Sequence, residues 1–159
     1  MVISLEWVHY IGNFLERAGR VGKQYNFAQW YPRVVVYDEN GWFDEPFHAE
    51  GEFYGEFGTY KVKMDVPKGY IIGSTGTLTE GDPGWKEVEV DTSQNFSDWL
   101  QNFKDNRIKY STNDRRVVSF YAENVHDFAW VTSPDFLYEY GSWDGIDVHV
   151  LYNLSLIHI

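Results

Sequence analysis

A chain of 159 residues, 43% hydrophobic and 23% charged, has the size and balance of one globular domain around a single core. Its net charge of −11 argues against nucleic acid and anionic membrane surfaces as partners, since both need clustered Lys and Arg to neutralise phosphate. With no cysteine, disulfides and thiolate metal sites are excluded.

The outlier is the aromatic content, 19%, with 7 Trp, 12 Tyr and 11 Phe. Such rings suit pleated, half-buried surfaces, which predicts β structure. No segment reaches the ~20 apolar residues that span a bilayer. The opening MVISLEWVHY, read as a strand with earlier strands missing, is interrupted by Glu6 and His9 and has no basic leader, so it does not read as a signal peptide. If a parent protein is exported, its signal lies upstream.

In chain order, Val34 to Tyr37 form a short β-branched run closed by the turn DENG. Glu52 to Val66 ends in a period of two, with Tyr60, Val62, Met64 and Val66 on one face and Lys61, Lys63 and Asp65 on the other. Pro67-Lys68-Gly69 turns the chain into Tyr70-Ile71-Ile72, and Gly81 to Gly84 turns it again before the alternating KEVEV, Lys86 to Val90. Phe96, Trp99, Leu100 and Phe103 then recur at helical spacing. This predicts one short helix near residues 96–105, with Ser97 as N-cap and Asp98 near the positive end of the helix dipole. Arg116 to Val131 and Ile146 to Val150 read as late strands. The expected fold is all-β: a mostly antiparallel sandwich with one helix.

Chemistry is harder to find. The histidines, His9, His48, His126, His149 and His158, form no HExxH and no close pair. A GxSxG elbow, GxGxxG and a P-loop are absent too. Asp38, Glu39, Asp44, Glu45, Glu50, Glu52 and Glu56 cluster as on a solvated turn, and DENGWFDEP departs from the EF-hand pattern at its later positions. Within YAENVHDFAW (Tyr121 to Trp130), strict strand alternation places His126 with Phe128 and Trp130 on the apolar face and turns Asp127 the other way. A structural histidine is the expectation.

The last six residues, LSLIHI, translate CTG TCT CTT ATA CAC ATC, a string resembling a transposase-type sequencing adapter. The expectation is a native segment 1–153 followed by a non-native tail, 154–159, with the gene cut off in mid-protein.

Three phrases resemble one family. YAENVHDFAW is similar to a stretch late in the N-terminal β domain of the aminopeptidase N family of zinc metallopeptidases. FAQWYPRVVVYDENGWFDEP (Phe27 to Pro46) resembles that domain's earlier TQ-x-x-P and D-E-P segment, and TYKVKMDVPKGYIIGSTGTL (Thr59 to Leu78) its strand, V-P turn and strand. The order is the family's. The resemblance implies a saddle-like, mostly antiparallel β domain packed on a catalytic domain that carries HExxH, a downstream Glu and one zinc. It implies no catalytic residue and no zinc in this chain, whose partners would be that catalytic domain and, in the parent, a peptide substrate. By the same resemblance Gln29 matches the family's Gln, and Tyr31 stands where a Glu or Gln helps to hold the substrate amine. Tyr31 departs from that pattern, because a phenol accepts a hydrogen bond without bringing charge. The alternative expectation is a stand-alone binding module, with Trp42, Trp85 and Trp143 stacking carbohydrate.

Overall fold

The computed structural model describes residues 2–14, 17–44, 51 and 53–154. Residues 155–159 of the suspected tail lie outside them, as do His48 and Glu45, Glu50 and Glu52 of the acidic cluster.

The strands in chain order are β1 (Gly19–Val21), β2 (Gln24–Phe27), β3 (Tyr37–Asp38), β4 (Gly41–Trp42), β5 (Gly58–Pro67), β6 (Ile71–Ser74) and β7 (Thr77–Gly81). A 3-10 turn (Trp85–Glu87) and the helix α1 (Phe96–Asn106) follow, then β8 (Arg115–Val125), β9 (Trp130–Ser133), β10 (Phe136–Trp143) and β11 (Ile146–Asn153). One sheet has the order β1-β2-β9-β6 and a second β5-β8-β7, while β3-β4 and β10-β11 are two-stranded. Every ladder between these strands is antiparallel. The fold is therefore all-β, as the aromatic content and alternation predict.

β5 follows its predicted period closely: Met64 and Val66 are buried while Lys61, Lys63 and Asp65 are exposed. Its inward face joins Val118, Phe120 and Ala122 of β8 against Ile72 of the other sheet and Phe128 of the segment between β8 and β9. Two sheets thus share one core, and each fully buried Phe in it contributes about 1.5–3 kcal/mol. A second cluster of Ile71, Val88, Phe136 and Tyr138 continues into a third, Val90, Trp99 and Leu137, beneath α1.

Several expectations need correction. Residues 2–12 form no strand; Trp7 instead donates its indole N–H to the carbonyl of Trp30 at 3.2 Å. The run at Val34 to Tyr37 is not a strand along its length, because only Tyr37–Asp38 pairs, around the Glu39-Asn40 turn. The segment Lys86 to Val90 is no regular strand. Gly84, at φ 90°, opens the 3-10 turn, and only Val88 and Val90 reach β10, through single backbone bonds to Tyr138 of 3.0 and 2.9 Å. Its alternation was real, since Val88 and Val90 are both buried. The N-cap of α1 is Asn95, whose Oδ1 accepts from Ser97 N–H at 2.9 Å and Asp98 N–H at 3.4 Å. Substituting Asn95→Ala should cost about 1 kcal/mol, measured as a lower urea midpoint at constant m-value. An unchanged midpoint would show that Trp99 packing alone holds the helix.

Candidate functional site

The segment from Gln29 to Arg33 leaves β2 through a backbone turn. Gln29 has φ 53°, a left-handed conformation that few non-glycine residues adopt. The chain is thereby thrown across the end of the sandwich, against the connection between β8 and β9. That connection is itself a departure from the predicted strand. Asn124 takes φ 55°, β8 ends at Val125, and residues 126–129 bridge from one sheet to the other.

The two segments are bonded together along their length. Trp30 donates its indole N–H to the carbonyl of Phe128 at 3.0 Å, and Arg33 donates Nη2–H to the carbonyl of His126 at 2.8 Å. Between them lies Asp127. Its Oδ1 is 2.7 Å from the Tyr31 hydroxyl, and its Oδ2 accepts the Gln29 backbone N–H at 3.4 Å. Tyr31 also lies 3.0 Å from the Tyr60 hydroxyl. The Tyr31 hydroxyl thus stands between two oxygen partners, the Asp127 carboxylate and the Tyr60 hydroxyl.

Burial, together with these two partners, pushes the Tyr31 phenol far above its ordinary value of 10.0, because a phenolate beside Asp127 would be desolvated and repelled. Tyr31 is a fixed proton donor. Rings close the corner: Phe27 stacks on Trp130 at 4.0 Å, and Trp30 stands edge-on to Tyr31 at 5.3 Å and to Trp130 at 6.4 Å.

Both resemblance-derived residues, Gln29 and Tyr31, therefore meet at Asp127. Sequence alternation missed this because it assumed one unbroken strand. His126 is also displaced from its expected place. It is half-buried, edge-on to Phe57 at 5.9 Å, rather than inside with the fully buried Phe128. The partners of Asp127 are Tyr31 and Gln29 instead of the adjacent imidazole.

The three tryptophans of the alternative reading fall into two kinds. Trp143 and Trp42 are 79% and 63% exposed at the ends of their hairpins. Trp85 is not a free platform: it stacks on Tyr138 at 5.5 Å, touches His149 at 4.5 Å and donates to the Ile72 carbonyl at 2.7 Å. A cleft of about 560 Å³ opens beside it, between β6, β7 and β11, and another of about 440 Å³ lies between α1 and the β1–β2 turn. Neither reaches Tyr31. Among the described residues, no three His, Asp or Glu side chains gather as a metal site, and no helix is long and apolar enough to cross a membrane.

Compared with known proteins, the chain matches no family model, no curated protein and no solved structure.

Proposed function

We propose that this chain serves as the non-catalytic β domain of an aminopeptidase N-like zinc metallopeptidase, docking on the catalytic domain and forming one wall of the substrate cleft. One observation carries the reading. The QWYP and VHDFAW phrases, nearly a hundred residues apart, interlock through Trp30, Tyr31 and Asp127 at one corner. Residues that resemble one family in two separate places thus form one physical unit.

In this reading the wall becomes half of a cleft only when the catalytic domain faces it. In the family that the chain resembles, the metal and the bond-breaking step belong to the catalytic domain, and this reading assigns them there. This chain's part is to place substrate. Tyr31 brings no charge, but the half-buried carboxylate of Asp127, 2.7 Å from its hydroxyl, supplies beside it the negative charge that an ammonium group requires.

The test is to recover the coding DNA around the codon for Asn153 and express the complete protein. The expected frame continues into HExxH with a downstream Glu. In that enzyme, Asp127→Asn should raise KM for peptides with a free amine and leave amine-blocked substrates unchanged. A genomic stop codon directly after Ile159, or equal KM changes for both substrates, would refute the assignment.

The exposure of Trp42 and Trp143 favours a second reading, a module that stacks sugar rings on those indoles. Quenching of tryptophan fluorescence by oligosaccharides, lost in Trp143→Ala, would support it.

A further inference from the structure

We propose that β11 is a self-association edge, through which two copies of this chain pair antiparallel about Val148. The inference is independent of the peptidase reading.

Among the described residues β11 is laddered to β10 alone, with an unbroken register from Phe136↔Asn153 to Trp143↔Ile146. Among the described residues no strand pairs with its far edge, and the exposed stretch from Ile146 to Val150 spans about 16 Å. Edge strands of monomers usually carry Lys, Pro or a bulge that blocks further pairing. The edge strand β5 has Lys61, Lys63, Pro67 and a register shift. β11, with the sequence IDVHVLYN, has none of these. Its Ile146, Val148 and Val150 are exposed, next to the exposed Trp143 of β10. These four form an uncovered apolar strip.

The backbone selects the register. Asp144 and Gly145, at φ 49° and 76°, make a two-residue turn of the primed kind, which closes with the Ile146 N–H on the Trp143 carbonyl. Bonding then alternates along the ladder. Ile146, Val148 and Val150 direct their backbone groups to β10, while Asp147, His149 and Leu151 direct theirs outward. An added strand must set outward residues opposite outward residues. With the two-fold axis at Val148, Asp147 lies opposite His149 of the second copy, and this happens twice. With the axis at His149, that residue meets itself and Asp147 meets Leu151. Only the Val148 register sets each carboxylate opposite an imidazole that can donate a hydrogen bond to it, and it also sets Ile146 against Val150 on the other face.

The side chains are already held for this pairing. The Tyr140 hydroxyl donates to Asp147 Oδ1 at 2.6 Å, and the Tyr138 hydroxyl lies 2.9 Å from His149 Nδ1. Oδ2 of Asp147 and Nε2 of His149 remain for the neighbouring copy.

Sedimentation equilibrium of the whole chain tests the proposal, with circular dichroism to verify folding. Wild type should show a concentration-dependent monomer–dimer equilibrium. His149→Asp, which sets carboxylates opposite each other twice, should weaken dimerisation by about tenfold or more. The double variant Asp147→His with His149→Asp restores opposite pairs and should recover the wild-type dimer. A monomeric wild type at 100 µM (a concentration on the order used for weak dimers) would overturn the proposal. So would a His149→Asp variant as dimeric as wild type, or a folded double variant that stays monomeric.

Discussion

Replacing Arg116 with Met should lower the free energy of unfolding by about 3–5 kcal/mol, read as an earlier urea transition and a fall in Tm on the order of 10 °C. Arg116 is 4% exposed and lies in phase with the buried Val118, Phe120 and Ala122 of β8. Its guanidinium is fully used. Nε and Nη2 donate to the Lys68 carbonyl at 3.0 and 2.8 Å, Nη1 to the Asp82 carbonyl at 2.6 Å, and Nη2 to Glu87 Oε1 at 2.7 Å. One side chain thus ties the β5–β6 turn, the β7 exit and the 3-10 turn to the central strand. Methionine fills the volume but leaves two carbonyls without their donor and the mostly buried Glu87 carboxylate without its counter-charge, held by the Tyr110 hydroxyl. Adding Glu87→Leu removes the stranded charge and should recover part of the loss. If the single variant is as stable as wild type, Arg116 is a passenger in the core.

The second large effect belongs to the corner at Asp127. Tyr31→Phe should cost about 1–2 kcal/mol and Asp127→Ala about 2–3 kcal/mol, since the latter also strands the Gln29 N–H. In a double-mutant cycle the pair should show a coupling of about 1 kcal/mol or more. Additive losses would mean that the 2.7 Å contact contributes nothing of its own. The same corner sets an alkaline limit. Tyr31 has its phenol pKa raised by burial and by Tyr60 and Asp127, so above about pH 10 the unfolded chain releases that proton while the folded one keeps it. Its contribution is complete below that value and is lost as pH rises. The Tyr31→Phe variant should therefore lose less stability than wild type between about pH 10 and 11.

Much of the architecture could be read from the residues where one period runs uninterrupted. β5 shows this, because lysines on one face and apolar side chains on the other leave a single register. The helix was legible from its stripe, although its cap was not: Asn95 and Ser97 are both good capping residues, and only backbone geometry chooses Asn95. β1 and β2 escaped notice because GRV and QYNF are short and lack alternation. The break after Val125 was hidden by its own composition, since Asn124 adopts a positive φ at little cost while the surrounding residues still look like a strand. Arg116 carries a sequence signal of its own, a charge in phase with three apolar residues. The meeting of Tyr31 with Asp127 had no sequence signal at all, because it depends on a turn at Gln29 that no residue preference announces.

The partnership of β2 with β9 has a consequence for how the polypeptide forms. Phe27 lies opposite Trp130, so the first strands of their sheet wait for roughly a hundred further residues before their neighbour exists. At ribosomal speeds that delay is about 5–20 s, during which QYNF and the rings beside it have no sheet to join. The β5–β8 sheet can form earlier, since β8 ends at Val125, before β9 begins. The aromatics of β2 are therefore among the groups that a chaperone has longest to meet during synthesis.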